Sequence, residues 1–388
     1  MQHLFMIKNR IALILSILIL ATGCHEKSGD VEASSSETVL PEPQQIEVVT
    51  VVEEKSAPEP VSEPEPPKPD NDWKLDIPDN HQMSGEILAQ LHTAVADVDI
   101  NSVVVIKNGF LIDEYYKDEQ DKDTVFRFAS CSKSFSGALI GVAIEQGYIS
   151  GIDTKLSEFL PQILEDNSSY KQEIAIEHLL THTSGIEWYE WNGGNSFREF
   201  TRSENWIEHI LGQRMVAKPG TYFSYTTGGS HLLAVVLEKA TGKSALEFGR
   251  ETVFEPLGMD SVQWRADPQG FIDGGNGISM TARDAAKFGQ LYLNGGKWHD
   301  EQIIPASWVE SSTTTQDAGP GGRSGSYGYQ WWIRSFGGYD AYYAMGHGGQ
   351  FIFVVPELEL VAVITSRFQD TYAPWPYFTD YILAAYTG

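Results

Sequence analysis

Strand-rich stretches near both ends of a long folded region constrain this chain more than any other sequence feature. Residues 102–106 and 110–116 are rich in β-branched, apolar and aromatic side chains and flank an Asn108-Gly109 turn, as in a β-hairpin. Residues 351–355 and 360–365 form a second such pair around a turn that contains proline. Most of the intervening sequence has helical spacing. This order predicts an α+β fold, with an antiparallel β-sheet flanked by helices and a helical lobe across a cleft.

Apolar residues recur at helical spacing in several stretches of the chain. Thr281 is a plausible N-cap for one of them, and Gly147 is a plausible stop for another. The predicted helices cover residues 84–98, 130–146, 228–240, 245–254, 281–293 and 377–385.

The first 23 residues have the pattern of a signal peptide. Lys8 and Arg10 precede a short apolar run that is too short to span a bilayer comfortably, and small residues then lead to Cys24. The small residues followed by Cys24 resemble a bacterial lipoprotein cleavage box. That resemblance implies a lipid on Cys24 and a periplasmic, membrane-anchored protein. His25 rather than Asp after the cysteine favours the outer membrane. An ordinary signal peptide with a chance cysteine is the alternative.

Residues 24–72 are predicted to be a disordered linker rich in proline and glutamate. Between residues 25 and 72 there are thirteen acidic side chains, three lysines and few aromatic side chains, so the segment cannot bury enough apolar surface to order itself. The whole chain has a net charge of −26, which argues against a nucleic-acid partner. Residues 73–388 show no second linker and are predicted to form one domain with two lobes.

Ser130 and Lys133 are the candidate nucleophile and its partner. They open an apolar stretch with helical spacing, and positions i and i+3 of a helix lie on one face, so the two side chains are expected to meet. A serine hydroxyl needs a neighbouring group to accept its proton, and a lysine can do this. An isolated match to this pattern is weak evidence, because serine and lysine are common residues.

Tyr225 and the turn around His347 are the other candidates. Tyr225 precedes a predicted helix, and a nearby cation would favour its phenolate form as a general base. Gly346–Gly349 lead into a strand, where glycine lets a substrate approach the backbone. We predict an oxyanion hole from the Ser130 and Gln350 N–H groups, with His347 and Gly349 contacting substrate.

Alternative readings of these residues are structural. Tyr225 could be a core residue, and His347 a polar residue in a turn. His178 and His182 have zinc-like spacing, but no third ligand is obvious, so we predict a buttress beside the site and neither metal nor cofactor. Loop carboxylates such as Glu187 and Glu190 are usually only solvated. Some tryptophans are candidates for the acyl pocket, although aromatic residues at this density are more often core: Trp188, Trp191, Trp331 and Trp332.

Five motifs occur along the chain in a recognisable order: Phe128–Phe135, His178–Gly185, Tyr225–Thr227, Pro256–Met259 and His347–Gly349. Taken together, these motifs resemble the serine β-lactamase and penicillin-binding-protein superfamily over about residues 85–385. Within it they are most similar to class C-like serine hydrolases, near the 6-aminohexanoate-dimer hydrolases and family VIII esterases. The resemblance implies Ser130 as nucleophile and Lys133 with Tyr225 as the proton-transfer pair.

Two departures from the resembled family concern the substrate. His347 stands where many relatives place a lysine, and Thr227 stands where class C β-lactamases have asparagine. Both are candidate substrate-binding residues, and both move the expected substrate away from β-lactams towards a small amide or ester. The alternatives are a slow penicillin- or peptidoglycan-binding sensor and a D-alanyl-D-alanine carboxypeptidase.

Overall fold

The computed structural model describes residues 72–190, 196–321 and 323–388. The predicted signal peptide, Cys24 and the predicted linker as far as residue 71 lie outside these residues. Among the residues described, no helix is both long enough and apolar enough to cross a bilayer.

The strands account for both predicted hairpins. Their bounds are β1 Ile100–Lys107, β2 Phe110–Tyr116, β3 Val125–Ala129, β4 Gln263–Trp264, β5 Ile278–Thr281, β6 Lys297–Trp298, β7 Glu301–Gln302, β8 Asp317–Gly321, β9 Gly325–Tyr327, β10 Trp332–Phe336, β11 Tyr339–Gly346, β12 Gln350–Val355 and β13 Leu360–Ser366.

The helices lie mainly between the two hairpins. Their bounds are α1 Gly85–Val95, α2 Ser132–Glu145, α3 Ser169–Gln172, α4 Ile176–Leu180, α5 Ser196–Phe200, α6 Trp206–Leu211, α7 Thr227–Thr241, α8 Ala245–Gly249, α9 Ala282–Leu293, α10 Ala306–Thr313 and α11 Trp375–Tyr377. The predicted helices at 245–254 and 377–385 end in π-helical turns, Arg250–Phe254 and Phe378–Leu383. The predicted cap is confirmed, because Thr281 Oγ1 accepts a hydrogen bond from the Asp284 N–H.

The central layer is an antiparallel sheet. Within the described residues it has eight strands in the order β2-β1-β13-β12-β11-β10-β9-β8. The two hairpins meet where β1 pairs with β13, in a register that places Val104 opposite Val363. The prediction of one sheet built from strands at both ends of the domain is therefore confirmed.

Both faces of this sheet are buried. Along β13, Leu360, Ala362 and Ile364 pack into one apolar cluster, whereas Val361 and Val363 pack into another on the opposite face. Successive side chains of a strand point to opposite faces of the sheet, so a strand that is buried on both faces has a continuous apolar sequence. Helix α9 packs on one face, while α1 contacts the C-terminal π-helical turn.

A helical lobe adjoins the sheet and positions the candidate site. Its helices α2 and α7 pack against each other, and α4 and α8 pack against α7. A small sheet of the described residues, in the order β3-β5-β4, lies beside α2. Strand β3 runs directly into the turn that carries Ser130, so the small sheet and α2 together fix the position of this serine.

Candidate active site

Ser130 lies in the turn between β3 and α2, where it lines a cavity of about 550 Å³. The predicted helix start at Ser130 is wrong by two residues, since the helix begins at Ser132 after a Cys131 N-cap. Ala129 has φ = 46°, a strained left-handed conformation that redirects the chain at the turn. The Ser132 hydroxyl holds this turn by donating to Ala129 O at 2.6 Å and accepting from Ile278 N at 3.0 Å.

Lys133 lies one helical turn from Ser130 and is 1% exposed. Its Nζ donates to Ser130 Oγ at 3.2 Å, to Thr227 Oγ1 at 2.9 Å and to Gly275 O at 2.7 Å. Burial lowers the pKa of Lys133 to about 8, although the negative charge of Glu190 opposes this shift. Near pH 8 a substantial fraction of this amine is neutral and can accept a proton from Ser130.

Tyr225 is buried beside the same pair and is 7% exposed. Its ring stacks on Trp332 at 5.5 Å between centroids, and Lys133 Nζ lies 4.8 Å from the ring centroid. Burial raises the pKa of Tyr225 well above its usual value, and the charge of Glu190 acts in the same direction, while a hydrogen bond with Ser130 opposes it. The expectation of a phenolate is therefore corrected, because Tyr225 is a neutral phenol that can donate a proton.

His182 supports Tyr225 and is 1% exposed. Its ring lies 4.6 Å from that of Tyr225, its Nδ1 accepts from Thr226 N at 3.2 Å, and its Nε2 lies 3.2 Å from Tyr327 Oη. Burial lowers the pKa of His182 well below the usual value, so the imidazole is neutral. His178 instead binds Ala175 N through Nδ1 at 2.9 Å. These partners agree with the predicted buttress, and the described residues contain no cluster suited to a metal.

Thr227 and Trp188 do not face the cavity directly; they hold Glu190, which does. Thr227 is 0% exposed, and its hydroxyl donates to Glu190 Oε1 at 2.5 Å while accepting from Lys133. The Thr227 N–H and the Trp188 indole N–H both donate to Glu190 Oε2, at 3.2 and 2.5 Å. Glu190 is therefore not the solvated loop carboxylate that was expected, whereas its neighbour Glu187 does pair with Arg214 at the surface.

The turn after β11 places His347 in the cavity of Ser130, as predicted, and leads to Gln350 at the start of β12. The cavity that contains Ser130 is lined by Gly346 and His347, whereas Gln350 lines an adjacent cavity. The Gln350 side-chain amide is buried and donates to Ser366 O at 2.6 Å. Gln350 pairs with Gly346 across the β11–β12 hairpin. The Gln350 main chain nevertheless lies beside the residue that follows Ser130, because its carbonyl accepts from Cys131 Sγ at 3.7 Å, and the Gln350 N–H as second oxyanion donor stays a prediction.

Gly349 packs tightly in this turn, and its predicted contact with substrate stays a prediction. Its φ is 84°, and a Cβ at this position would lie 2.2 Å from Ser366 Oγ. The Ser366 hydroxyl donates to Gly348 O at 2.6 Å, which holds the turn closed.

The tryptophans are also core residues. Trp331 is 0% exposed and lies 4.6 Å from the Tyr292 ring, and it does not line the cavity; the pocket role is therefore corrected. Trp188 is 5% exposed and packs on Phe200. Trp332 reaches the site only through its stack on Tyr225. Trp191 lies outside the described residues.

The fold, with a Ser-x-x-Lys turn between a helical lobe and an antiparallel sheet, defines the serine hydrolases of the β-lactamase and transpeptidase type. The sequence profile of the beta-lactamase family matches residues 91–386. The chain therefore belongs to the beta-lactamase family, and it is an enzyme of the serine hydrolase class.

Individual relatives agree with this assignment. The 6-aminohexanoate-dimer hydrolase of Paenarthrobacter ureafaciens is 24% identical over 304 residues, which cover 73% of this chain and 76% of that protein. Two solved structures share the fold. One is an octameric penicillin-binding protein homologue from Pyrococcus abyssi, with a TM-score of 0.61 and 22% identity over 77% of this chain and 76% of that one. The other is a D-stereospecific amidohydrolase from Streptomyces, with a TM-score of 0.58 and 18% identity over 72% of this chain and 93% of that one.

Proposed function

We propose that this chain cleaves an amide or ester bond through an acyl-enzyme on Ser130. The observation that carries this proposal is the 3.2 Å contact between Lys133 Nζ and Ser130 Oγ at a cavity that a small substrate can enter. Because burial brings the pKa of Lys133 to about 8, this lysine can act as a base at a pH where an exposed lysine would be almost fully protonated.

In the first step, neutral Lys133 accepts the Ser130 proton while Ser130 Oγ bonds to the substrate carbonyl carbon. The carbonyl electron pair moves to oxygen, and its return expels the leaving group. The leaving group takes a proton from the Tyr225 phenol, and the Lys133 ammonium then returns a proton to Tyr225. This order uses Tyr225 as an acid, which fits the raised pKa of its buried phenol.

In the second step, water attacks the acyl carbon. Lys133 accepts a proton of the water as the new C–O bond forms, and Ser130 Oγ then leaves the acyl carbon and recovers that proton from the Lys133 ammonium. The oxyanion of both steps would accept hydrogen bonds from the Ser130 N–H and the Gln350 N–H. The support for Gln350 is that its main chain lies beside the residue after Ser130, since its carbonyl accepts from Cys131 Sγ at 3.7 Å.

The names of relatives support an amide or ester substrate. One relative is a 6-aminohexanoate-dimer hydrolase, and a protein of the same fold is a D-stereospecific amidohydrolase. The Thr227 hydroxyl is hydrogen-bonded to Lys133 and Glu190, and threonine has no side-chain amide that could hold the side chain of a β-lactam. We therefore place linear amides and esters ahead of β-lactams as substrates.

Intact-protein mass spectrometry tests the role of Ser130. A fluorophosphonate should add one adduct to the wild type and none to Ser130→Ala, and Ser130→Ala should lose hydrolysis of a nitrophenyl ester by several orders of magnitude. Ser311→Ala is the matched control, because Ser311 lies on helix α10 and does not line the cavity, and this variant should retain both the adduct and the hydrolysis. Equal hydrolysis by wild type and Ser130→Ala would overturn the proposal. A long-lived penicilloyl adduct without turnover would favour a penicillin sensor instead.

The proposal includes the export of this enzyme to the periplasm and its attachment to the outer membrane through a lipid on Cys24. Its support is the sequence pattern of residues 1–25. A linker rich in proline and glutamate would then separate the enzyme domain from the membrane surface.

A further inference from the structure

Arg127 lies on β3, three residues before Ser130, and lines the same cavity. Because Arg127 and Ser130 line one cavity, a substrate bound at the serine can also contact the guanidinium. Arg127 also lines an adjacent cavity of about 440 Å³, as do His347 and Gln369 of the Ser130 cavity. These three residues thus lie where the two cavities adjoin.

The guanidinium of Arg127 has no carboxylate partner among the described residues. Arg214, Arg265 and Arg283 each have one within 2.7 Å. Asp273 is the carboxylate whose charge acts on Arg127, but Asp273 already pairs with Arg265. The Arg127 side chain is exposed at the rim, yet partial burial of the guanidinium and the charge of Arg265 lower its pKa. A cation in this setting gains from an added anion.

The carboxylates of the same cavity are already engaged. Glu190 accepts hydrogen bonds from Thr227 and Trp188, and Asp370 lies 3.4 Å from Arg323 and accepts from Tyr372 N at 3.0 Å. Both carboxylates keep their negative charge but are held by donors of the protein, whereas Arg127 has no carboxylate partner among the described residues and can offer its guanidinium to an anionic ligand.

We propose that Arg127 binds a carboxylate group of the substrate, with His347 as a second polar contact, so that the enzyme selects amides or esters that carry a negative charge near the scissile bond. The inference rests on the proposed hydrolysis at Ser130 and names the class of substrate that this site prefers. Arg127 is a specificity residue in this scheme and takes no part in proton transfer.

Two ester pairs test this inference by kinetics. Mono-4-nitrophenyl glutarate and its methyl ester differ by one charge on the acyl side, and 4-acetoxybenzoate and its methyl ester differ on the leaving-group side. In wild type at least one pair should show a higher kcat/KM for the anionic member. Arg127→Gln should reduce this anionic-to-neutral ratio by about tenfold to a hundredfold, as for the loss of a hydrogen bond to a charged group.

Arg367→Gln is the matched control, because Arg367 lines only the adjacent cavity and its loss changes the net charge by the same amount. It should leave both ratios within about twofold of wild type. Unchanged ratios in Arg127→Gln, or an equal fall in Arg367→Gln, would overturn the inference.

Calorimetric binding in the Ser130→Ala background separates this inference from the proposed chemistry. The anionic esters should bind more tightly than their neutral partners, and adding Arg127→Gln should abolish the difference. If Ser130→Ala still hydrolyses esters as fast as wild type, the proposed function fails and the binding comparison still decides the role of Arg127. Equal binding of the anionic and neutral members would reject the carboxylate site even if Ser130 is the nucleophile.

Discussion

Glu190 is linked to Lys133 through the hydroxyl of Thr227. Thr227 Oγ1 donates to Glu190 Oε1 at 2.5 Å and accepts from Lys133 Nζ at 2.9 Å. The negative charge of Glu190 stabilises the Lys133 ammonium and so opposes the effect of burial on its pKa. Glu190, a loop residue that was expected to be only solvated, therefore helps to set the pH at which the proposed base becomes available.

Replacing Glu190 with Gln should shift the pH dependence of the enzyme. Loss of the carboxylate charge removes a contribution that raises the pKa of Lys133, so this pKa should fall below about 8. The rising limb of kcat/KM against pH reports deprotonation of the base, and it should move to lower pH. The maximal rate should also fall, because the geometry around Thr227 is disturbed. The measurement is kcat/KM for a neutral nitrophenyl ester between pH 5 and 10.

Glu187→Gln is the control for this prediction. Glu187 lies on the same loop, but it pairs with Arg214 at the surface and does not contact Lys133 or Thr227. Its replacement makes the same chemical change, and the rising limb of kcat/KM should stay at the pH where wild type has it. A limb that stays fixed in Glu190→Gln, or one that moves equally in both variants, would show that Glu190 does not tune Lys133.

Replacing Lys133 with Met should abolish hydrolysis but stabilise the protein at neutral pH. The pKa of Lys133 falls from 10.5 to about 8 on folding, so burying its charge costs up to about 3 kcal/mol below pH 8. This cost disappears as the pH rises from about 8 to about 10.5, because the folded lysine loses its proton before the unfolded one. Gly275 O and Thr227 Oγ1 lose a donor in the variant, and this offsets part of the gain.

Chemical denaturation at pH 7 and pH 10 checks this prediction. The free energy of unfolding of Lys133→Met should exceed that of wild type at pH 7, and the difference should shrink at pH 10. A variant less stable than wild type at pH 7 would mean that the three hydrogen bonds of Lys133 outweigh the cost of burying its charge.

The hairpins and the main helices were predictable because each depends on local residues. Asn108 and Gly109 have φ of 53° and 78°, the left-handed conformation that a tight hairpin turn needs, and these residue types favour it. Thr281 likewise marked the start of α9. The position of Ser130 just before its helix was not predicted, because it depends on a distant contact. The Ser132 hydroxyl donates to the carbonyl of the strained Ala129 and accepts from the N–H of Ile278, which is far away in the sequence.

The partners within the site depend on contacts between distant parts of the chain. Glu190 and Lys133 are 57 positions apart in the sequence and meet only because Thr227 brings α7 between them. The protonation of Tyr225 was misjudged for a similar reason, since a nearby cation was foreseen but the effect of complete burial was not. Arg127 adjoins the Ser130 motif, yet its lack of a partner shows only in three dimensions.

Replacing Cys24 with Ser should release the protein from the membrane. Lipid attachment requires the cysteine thiol, so the variant should lose incorporation of labelled palmitate and move from the membrane fraction to the soluble fraction. Cys131→Ser is the control, because Cys131 is buried beside Ser130 and is not accessible for modification. Palmitate labelling that survives in Cys24→Ser would exclude this anchor.

Trp331 and Trp332 are neighbours in the chain but belong to different apolar clusters, and their replacement by Phe should separate stability from activity. Trp331 packs against Tyr292 and Phe288, away from the cavity. Trp331→Phe should therefore lower the free energy of unfolding by about 1–3 kcal/mol with little effect on kcat well below the melting temperature.

Trp332 stacks on Tyr225, so Trp332→Phe should lower kcat in addition to stability, because the smaller ring leaves the phenol less firmly placed. Thermal denaturation and ester kinetics on both variants give the comparison. Equal losses of kcat in the two variants would show that Trp332 does not position Tyr225, and a specific loss in Trp331→Phe would restore the pocket role first predicted for that residue.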